Sequence, residues 1–264
     1  MKNGYPISAI IIALNEADRI PRALASLSWV DQVVVVDAGS RDGTPELAAQ
    51  AGAEVVHHDW EGYSKQKAFA VGLTRHQWVL WVDADEEVSP ELRRSIEETL
   101  MRPALGERPS AYAMNRRTWY LGRFLRFGGW YPDRKVRLFN KARAAFDGSL
   151  IHEGLHVDGP VGFLRGDLLH YSYRNLDHHI RKTHEMASLW AEQEKDRRRV
   201  AMLEMAIHPA AKAIKSYVLR VGFLEGWRGL VVAGMASYAV WLKYALLREA
   251  QLRKSPKERR NDAG

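Results

Sequence analysis

The stretch "WVLWVDADEEVSP" at residues 78–90 decides the fold, because it joins a strand, an acidic turn and a helix start. Its first five residues are apolar, as in a strand that is buried on both faces. Four of the next five carry carboxylates, and Ser89 with Pro90 then supplies the cap and the first position of a helix. Carboxylates this close together repel one another. The stretch therefore predicts a buried strand with a positively charged group near its carboxyl end, where it would offset the repulsion between the carboxylates.

The first hundred residues repeat this alternation of strand and helix. Strand-like runs occupy residues 7–14, 32–38, 53–58 and 77–85, and helical patterns occupy residues 17–27, 44–52, 62–73 and 89–100. The strands are continuous apolar runs, which is expected when helices cover both faces of a parallel sheet. We predict a mostly parallel, doubly wound α/β unit. Sheets of this kind bind ligands at the carboxyl ends of their strands.

The remainder of the chain differs in composition and in its pattern of apolar residues. It is aromatic and arginine-rich beyond residue 110, with strand-like pieces near 111–119 and 135–140, and it reads as helical from Arg174 onward. We predict a catalytic domain over residues 1–172 and a helical region over residues 173–252 that serves membrane association or oligomerisation. Residues 253–264 are polar and are predicted to form a disordered tail.

Composition narrows the classes of partner. The chain has 264 residues, no cysteine and a net charge of +7, so disulfides and cysteine-ligated metals are excluded and anionic partners are favoured. The basic residues are spread along the chain and no nucleic-acid-binding module is visible, so we expect no nucleic acid partner. The longest uncharged stretch near the carboxyl terminus, residues 229–242, is 14 residues long. A spanning helix needs about 20 residues, so none is expected.

Polar side chains follow three of the predicted strands where each strand ends. Asp83 and Asp85 follow one strand, Asn15 and Glu16 follow the first, and Asp37 follows the second. Because parallel strands end at one edge of the sheet, these side chains are expected to meet there. Two carboxylates in a D-x-D pattern can bind Mg²⁺ or Mn²⁺, and Asp37 can accept hydrogen bonds from a nucleobase or ribose. The alternatives are a solvated capping turn for the acidic stretch and ordinary turn chemistry for Asp37.

Four ordered motifs, "IIIALNEADRIPRALASL", "VVVVDAGSRDGT", "GYSKQKAFA" and "WVLWVDADEEVSPEL", resemble the family-2 glycosyltransferases, which are nucleotide-sugar enzymes of the GT-A fold. Within that family, "WYPDRKVRLF", "IHEGLHVDG" and "LHYSYRNLDHHI" are similar to the lipopolysaccharide-core glucosyltransferases. The resemblance implies inverting transfer of a sugar, commonly glucose, from a UDP-sugar. It also implies a glycolipid acceptor, with the lipopolysaccharide inner core favoured.

The resemblance assigns roles to individual residues. It implies that Asn15 and Glu16 line the nucleotide pocket and that Asp37 holds the uracil or ribose side. Asp83 then lies on the ribose side, and Asp85 is the ligand of a divalent cation, Mg²⁺ or Mn²⁺. Lys67 is expected to approach the nucleotide, although an exposed lysine on a helix explains it equally well.

The transfer needs a base that takes the proton of the acceptor hydroxyl. We assign Glu153 in "IHEGLH", where the resemblance places a His–Glu pair, and keep Asp133 and Asp147 in reserve. The letters "HEGLH" also match the H-E-x-x-H motif of zinc hydrolases, which requires a helix. Glycines at 148, 154 and 159 and a strand-like alternation of side chains argue against that helix.

Two further regions are assigned to the acceptor and to partners. Trp130 and Tyr131 can stack on sugars and Arg137 can bind phosphates, although an aromatic core strand with solvated arginines is the alternative. The segment 214–254 mixes apolar and basic residues. It predicts a helical hairpin packed on the protein or on a second subunit, or an interfacial helix on an anionic membrane. We favour a cytoplasmic enzyme that is peripheral on the inner face of the cell membrane.

Other functions stay open at this point. A glycosyltransferase with another lipid-linked or polysaccharide acceptor fits the same residues. A nucleotidyltransferase, a zinc hydrolase and a binding protein without turnover are more distant alternatives. UDP release in the presence of a nucleotide sugar distinguishes a glycosyltransferase from a nucleotidyltransferase, a zinc hydrolase and a binding protein.

Overall fold

Four parallel strands begin the sheet in the computed structural model, which describes residues 5–101, 108–146 and 154–253. They lie in the order β3-β2-β1-β4 and are paired in parallel throughout. Their bounds are β1 Ile7–Ala13, β2 Gln32–Asp37, β3 Glu54–His57 and β4 Trp78–Trp81. The helices between and after them are α1 Ile20–Ser26, α2 Thr44–Gln50, α3 Tyr63–Gly72 and α4 Pro90–Met101. The predicted alternation of strand and helix is therefore confirmed.

The remaining strands make the sheet mixed. They are β5 Glu86–Val88, β6 Ala111–Tyr120, β7 Arg123–Phe124, β8 Asp133–Asn140, β9 Ala144–Phe146, β10 Leu155–Val157 and β11 Val161–His170. Within the described residues the sheet has nine strands: its order continues from β4 through β8, β6 and β11 to β5, with β7 paired to β6. β8 is antiparallel to both β4 and β6, and β11 is parallel to β6. As a result β11 runs in the same direction as β4, and both strands end at the same edge.

Both faces of the parallel strands are buried, which explains their continuous apolar sequences. Ile11 faces a core that includes Ile20 of α1 and Leu92 of α4. Its neighbour Ile10 faces the opposite core, which includes Ala70 of α3. Both isoleucines are fully buried, and each such side chain stabilises the fold by about 1.5–3 kcal/mol.

The chain divides into two compact units. The first contains the chain up to Thr118 together with Pro132–Tyr171, and the second contains Trp119–Tyr131 and everything from Ser172 onward. The sequence predicts a division between residues 172 and 173 but does not predict that residues 119–131 join the second unit. The tail predicted from residue 253 lies outside the described residues beyond that position.

The second unit is largely helical. It contains α5 Leu176–Glu194, α6 Met202–Ile214, a π-helical turn at Lys215–Leu219, a 3₁₀ turn at Gly222–Glu225 and α7 Trp227–Arg253. The part of α7 at Trp227–Leu252 is long and apolar enough to cross a membrane, with a mean hydropathy of 1.6 in a window that is 28% buried. This criterion uses length and composition alone, and a core helix of a soluble protein can meet it. It therefore does not assign a membrane span.

Candidate active site

Polar side chains from four strands meet at one edge of the sheet, which we call the carboxyl edge. It is formed by the residues after β1 (Asn15 and Glu16), at the end of β2 (Asp37), after β4 (Asp83 and Asp85) and at the end of β11 (His170). β1 lies between β2 and β4, so the three turns anticipated from the sequence are neighbours in the structure. All of these residues belong to the first unit.

The turn after β1 is bonded to the turn after β2. The amide of Asn15 donates to Oγ of Ser40 at 2.8 Å, and the amide of Arg41 donates to Oδ1 of Asn15 at 2.9 Å. The amide of Glu16 donates to Oγ1 of Thr44 at 2.9 Å. Asn15 has a φ of 55°, a left-handed conformation that asparagine tolerates better than most residues. The two turns therefore form one structural element.

Asp37 organises the second of these turns from within. Its side chain is buried, and Oδ2 accepts hydrogen bonds of 2.9 Å from the amides of Gly39 and Ser40. The hydroxyl of Ser40 donates to Oδ1 of Asp37. Turn chemistry thus occupies both carboxylate oxygens, and contact of Asp37 with a nucleotide stays a prediction.

Asp83 is held by three different side chains. Nε1 of Trp81 donates to its Oδ1 at 2.8 Å, Nη2 of Arg137 donates to its Oδ2 at 2.7 Å, and Nζ of Lys67 lies 4.0 Å from Oδ1. Burial alone would raise the pKa of Asp83, but the charges of Arg137 and Lys67 outweigh burial and hold the pKa well below its usual range. Asp83 is therefore ionised over the physiological pH range.

Lys67 and Arg137 both contact the indole ring of Trp81. Nζ of Lys67 lies 3.8 Å and the guanidinium carbon of Arg137 lies 3.7 Å from its ring centroid. Both side chains are buried, so the alternative that Lys67 is an exposed helix lysine is wrong. Arg137 directs its guanidinium at carboxylates inside the protein, and the acceptor role predicted for it stays a prediction.

Glu86 is the most deeply buried carboxylate of this cluster. Its side chain is fully buried, and its Oε1 accepts hydrogen bonds from Arg137 at 2.8 Å and from Arg116 at 3.4 Å. Its Oε2 accepts from the amide of Asp83 at 3.0 Å. Burial raises the pKa of Glu86, and Arg137 opposes this rise. Glu86 thereby fixes the backbone of Asp83, a role that the sequence does not reveal.

Asp85 lies beside a histidine from a distant strand. Its Oδ2 is 3.4 Å from Nε2 of His170 and 3.5 Å from Nη1 of Arg19. The amide of Tyr171 donates to the backbone carbonyl of Asp85 at 2.8 Å, which fixes the two segments against each other. Burial acts to raise the pKa of Asp85, but the hydrogen bond and charge of His170, together with Arg19, lower it.

Arg19 connects the first turn to the acidic one. Its Nη1 lies 3.3 Å from Oε2 of Glu16 as well as 3.5 Å from Oδ2 of Asp85. The side chain is buried, and its Nη2 has no hydrogen-bond partner in the part of the chain that the structure describes. Arg19 thus provides a fixed positive charge between Glu16 and Asp85.

Comparison with known proteins matches the family model "Glycosyl transferase family 2" to residues 8–154. The chain belongs to this family. An uncharacterized glycosyltransferase of Rickettsia felis is 32% identical over 94% of this chain and 91% of its own length. The lipopolysaccharide core biosynthesis glycosyltransferase LpsC of Rhizobium meliloti is 29% identical over 91% of this chain and 94% of its own length.

Solved structures of glycosyltransferases are also similar to this family-2 member. One is glucosyl-3-phosphoglycerate synthase from Mycobacterium tuberculosis in complex with Mn²⁺, UDP and glucosyl-3-phosphoglycerate, with 26% identity and a TM-score of 0.35. The matched region covers 45% of each chain, which is less than half of either protein. At this TM-score the similarity supports no assignment by itself. The fold described above is of the GT-A type.

The sequence analysis predicts a divalent cation, and Asp85 with His170 fits one. The two side chains offer a carboxylate oxygen and a ring nitrogen 3.4 Å apart. The nitrogen that faces Asp85 is Nε2, and Nδ1 of the same ring is buried without a hydrogen-bond partner among the described residues. A carboxylate with an imidazole suits Mn²⁺, whereas Mg²⁺ favours oxygen ligands.

Of the three candidate bases of this glycosyltransferase, Asp133 is the one that falls within the described residues. Glu153 and Asp147 are outside the described residues. Asp133, the other reserve base, accepts hydrogen bonds from Nε and Nη2 of Arg116 at 2.9 and 2.7 Å, so its carboxylate already has a cationic partner. His156 lies in β10, which pairs with β9 in an antiparallel manner. The described end of the "HEGLH" motif is therefore a strand, and a zinc-binding helix does not form there.

The aromatic residues predicted to contact the acceptor lie in the second unit. The ring of Trp130 is 5.0 Å from that of Tyr120 and 5.9 Å from that of Tyr173. Trp130 and Tyr131 are half-buried. Trp130 therefore contributes to an aromatic cluster within its own unit, and a contact with the acceptor stays a prediction for both residues.

Proposed function

We propose that this glycosyltransferase transfers a sugar, namely glucose, from a UDP-sugar to a glycolipid acceptor, namely the lipopolysaccharide inner core. The observation that carries the proposal is the carboxyl edge, where Asp85 and His170 stand next to the ionised Asp83. The named function of the Rhizobium relative, lipopolysaccharide core biosynthesis, supports the choice of acceptor because the match covers 91% of this chain.

Asp85 and His170 are the proposed ligands of Mn²⁺ or Mg²⁺. When bound, the cation stabilises negative charge on the departing diphosphate. The chain itself prepares this position: the hydrogen bond from the amide of Tyr171 fixes Asp85, and Arg19 holds the carboxylate from the other side. The lowered pKa of Asp85 keeps it ionised and able to bind a cation at neutral pH.

The nucleotide is proposed to lie along the turns after β1, β2 and β4. Asn15, Glu16 and Asp37 form one side of this pocket, and Asp83 forms the ribose side. Lys67 positions Asp83 by charge, because its buried ammonium lies 4.0 Å from the carboxylate. The bonded turns supply a rigid wall, and such preorganisation lowers the cost of ordering a ligand.

The transfer is proposed to be a single in-line displacement with inversion. The acceptor hydroxyl oxygen bonds to the anomeric carbon while the bond from that carbon to the diphosphate oxygen breaks. The hydroxyl proton passes to the carboxylate of Glu153, the proposed general base. Trp130 and Tyr131 are proposed to stack on sugar rings of the acceptor. The enzyme is proposed to act at the inner, cytoplasmic face of the cell membrane.

A screen of nucleotide sugars for UDP release, with and without Mn²⁺, tests the proposal. UDP-glucose with a lipopolysaccharide-core acceptor is expected to give UDP and a product of inverted anomeric configuration. Release of pyrophosphate would instead indicate a nucleotidyltransferase, and UDP binding without release would indicate a protein that does not catalyse transfer. Either result would refute the proposed function.

Two variants test the assigned residues. Asp85→Asn should abolish metal-stimulated UDP release, whereas Asp177→Asn is the matched control, because the side chain of Asp177 is 70% exposed and belongs to the second unit. Glu153→Gln should stop transfer and leave UDP binding unchanged. Transfer at the wild-type rate by either variant would remove the corresponding role.

A further inference from the structure

In the segment from the last residue of α6 to the first turn of α7, polar or small residues are buried and large apolar residues are exposed. We call residues 214–230 the connector. Its buried positions are polar or small: Ser216, Gly222, Glu225 and Gly229. Its exposed positions include large apolar side chains that are 47–72% exposed, namely Ile214, Leu219, Phe223, Leu224, Trp227 and Leu230. A concentration of exposed apolar side chains of this kind marks an interaction surface.

Hydrogen bonds hold the connector in this orientation. Oγ of Ser216 donates to the carbonyl of Gly128 at 2.8 Å. Oε1 of the buried Glu225 accepts hydrogen bonds from the amides of Arg126 and Phe127 at 2.6 and 3.0 Å. The polar side chains thus attach the connector to the loop at 126–129. The apolar side chains cannot turn inward without breaking these bonds.

The backbone of the connector is strained and closely packed. Val221 has a φ of 48°, a left-handed conformation that is rare for a β-branched residue. A Cβ atom on Gly222 would lie 2.6 Å from the carbonyl oxygen of Ser216, and one on Gly229 would lie 1.8 Å from the carbonyl oxygen of Gly222. Such strain persists where the surrounding structure enforces it, often at functional segments. The exposed apolar side chains of the connector are therefore held in one defined backbone conformation.

The charges around the connector have one sign. Lys212, Lys215 and Arg220 are exposed, and Arg228 is half-buried. Between residues 205 and 248 the sequence contains one carboxylate, Glu225, which is 2% exposed. The exposed surface of this stretch thus combines apolar side chains with cations and carries no carboxylate.

We propose that the connector docks onto an anionic lipid surface, with its apolar side chains in the acyl boundary and its cations on the phosphate headgroups. The proposal rests on the proposed function, because a lipid-linked acceptor requires the enzyme to work at a membrane. A second copy of this chain fits less well. A symmetric contact between two connectors would place cations opposite cations, and like charges repel.

The position of α7 agrees with docking from one side. Tyr244 and Leu247 of α7 are buried against Ala191 of α5. The hydroxyl of Tyr244 is 2.8 Å from Nδ1 of His208 in α6. α7 therefore packs within the second unit at Val232 as well as along its carboxyl-terminal half, and the connector lies at its amino-terminal end. This arrangement predicts a peripheral protein that salt or alkali can release from membranes.

Vesicle co-sedimentation of the full chain tests the proposal. Vesicles of phosphatidylcholine with phosphatidylglycerol should bind the protein, and vesicles of phosphatidylcholine alone should bind it weakly. The double variant Leu219→Ser with Phe223→Ser should bind at least about tenfold more weakly. Lys215→Gln with Arg220→Gln should weaken binding about fivefold for each cation and reduce its dependence on salt.

Met186→Ser with Leu189→Ser is the matched control. These two side chains of α5 are 51% and 57% exposed but lie outside the connector, so wild-type vesicle binding is expected. Circular dichroism must show that each variant is folded. UDP release with a water-soluble acceptor fragment is measured separately, so loss of turnover with intact vesicle binding would count against the proposed function and not against docking.

Four outcomes would overturn the docking proposal. The first is wild-type vesicle binding by folded connector variants, and the second is equal binding by connector and control variants. The third is a protein that only detergent releases from membranes, which would favour a spanning α7. A stable dimer in ultracentrifugation that the connector variants dissociate would likewise assign the surface to a second copy.

Discussion

Replacement of Arg137 by methionine should destabilise the first unit strongly at neutral pH. The Arg137 side chain is 3% exposed and donates to Glu86, which is 0% exposed, and to Asp83, which is 28% exposed. Methionine fills much of the same volume but leaves both carboxylates without their nearest cation. Removal of one partner of a buried ion pair costs about 3–5 kcal/mol, and a Coulomb energy of ~4 kcal/mol per pair at an effective dielectric of 20 agrees with this range.

The loss of stability caused by Arg137→Met should become smaller when the pH falls. In the wild-type protein the pKa of Asp83 is lowered, so its stabilising contribution is complete above the unfolded value and is lost only at lower pH. In the variant the pKa of both carboxyls should rise, because Arg137 is the strongest charge that opposes burial at each of them. Protonation then relieves the variant more than the wild-type protein, because Arg137 holds down the pKa of both carboxyls only in the wild-type protein.

Urea unfolding followed by circular dichroism at about pH 7 and about pH 5 measures both effects. Arg75→Met is the matched control, since Arg75 pairs with Glu54 at 2.5 Å but is 62% exposed, and a surface pair of this kind is worth less than about 1 kcal/mol. The reasoning fails if Arg137→Met costs no more than the control at neutral pH. It also fails if the deficit of the variant is as large at the lower pH.

Three further predictions concern other parts of the chain. His170→Gln should raise the Mn²⁺ concentration needed for half-maximal UDP release by at least about tenfold, and an unchanged Mn²⁺ titration would remove the ligand role. Burial lowers the pKa of His179 to about 4. Protonation of this histidine should therefore destabilise the fold as the pH falls from about 6.5 toward 4, and urea unfolding of His179→Gln should show a weaker decline over that range. Gly166→Ala should lower the free energy of unfolding by more than about 1 kcal/mol, because Gly166 has a φ of +89° and a Cβ would lie 2.3 Å from a backbone nitrogen of α4. Gly72→Ala, which meets no atom within 4 Å, should leave thermal stability unchanged or slightly raised.

The part of the site that local sequence determines was predictable. Continuous apolar runs identify parallel strands that are covered on both faces, and parallel strands must end at the same edge. This geometry alone brings Asn15, Glu16, Asp37, Asp83 and Asp85 together. Residue type and strand position were sufficient once these strands were taken to be parallel neighbours in one sheet.

The cations around the acidic turn were not predictable in the same way. Arg137 lies 54 residues after Asp83 and reaches it because β8 enters the sheet antiparallel to β4. His170 reaches Asp85 because β5, which follows Asp85 directly, pairs with the end of β11 and places Glu86 opposite His170. Local patterns do not specify this strand order, since it depends on contacts between distant segments. The signals available for His170 were a polar residue directly after the apolar pair Leu168 and Leu169 and its place in the motif "LHYSYRNLDHHI".

The charges at the acidic turn also determine how a divalent cation can contribute. Fixed cations already offset the repulsion between the carboxylates of this turn. Arg137 and Lys67 lie beside Asp83, Arg137 and Arg116 lie beside Glu86, and Arg19 lies beside Asp85. A metal ion is therefore not needed to hold this turn together. Among the described residues no cluster of three or more acidic or histidine side chains can hold a metal, which leaves Asp85 and His170 as a pair. Mn²⁺ and Mg²⁺ commonly complete such a coordination shell with phosphate oxygens and water, so we expect the cation and the nucleotide diphosphate to bind together.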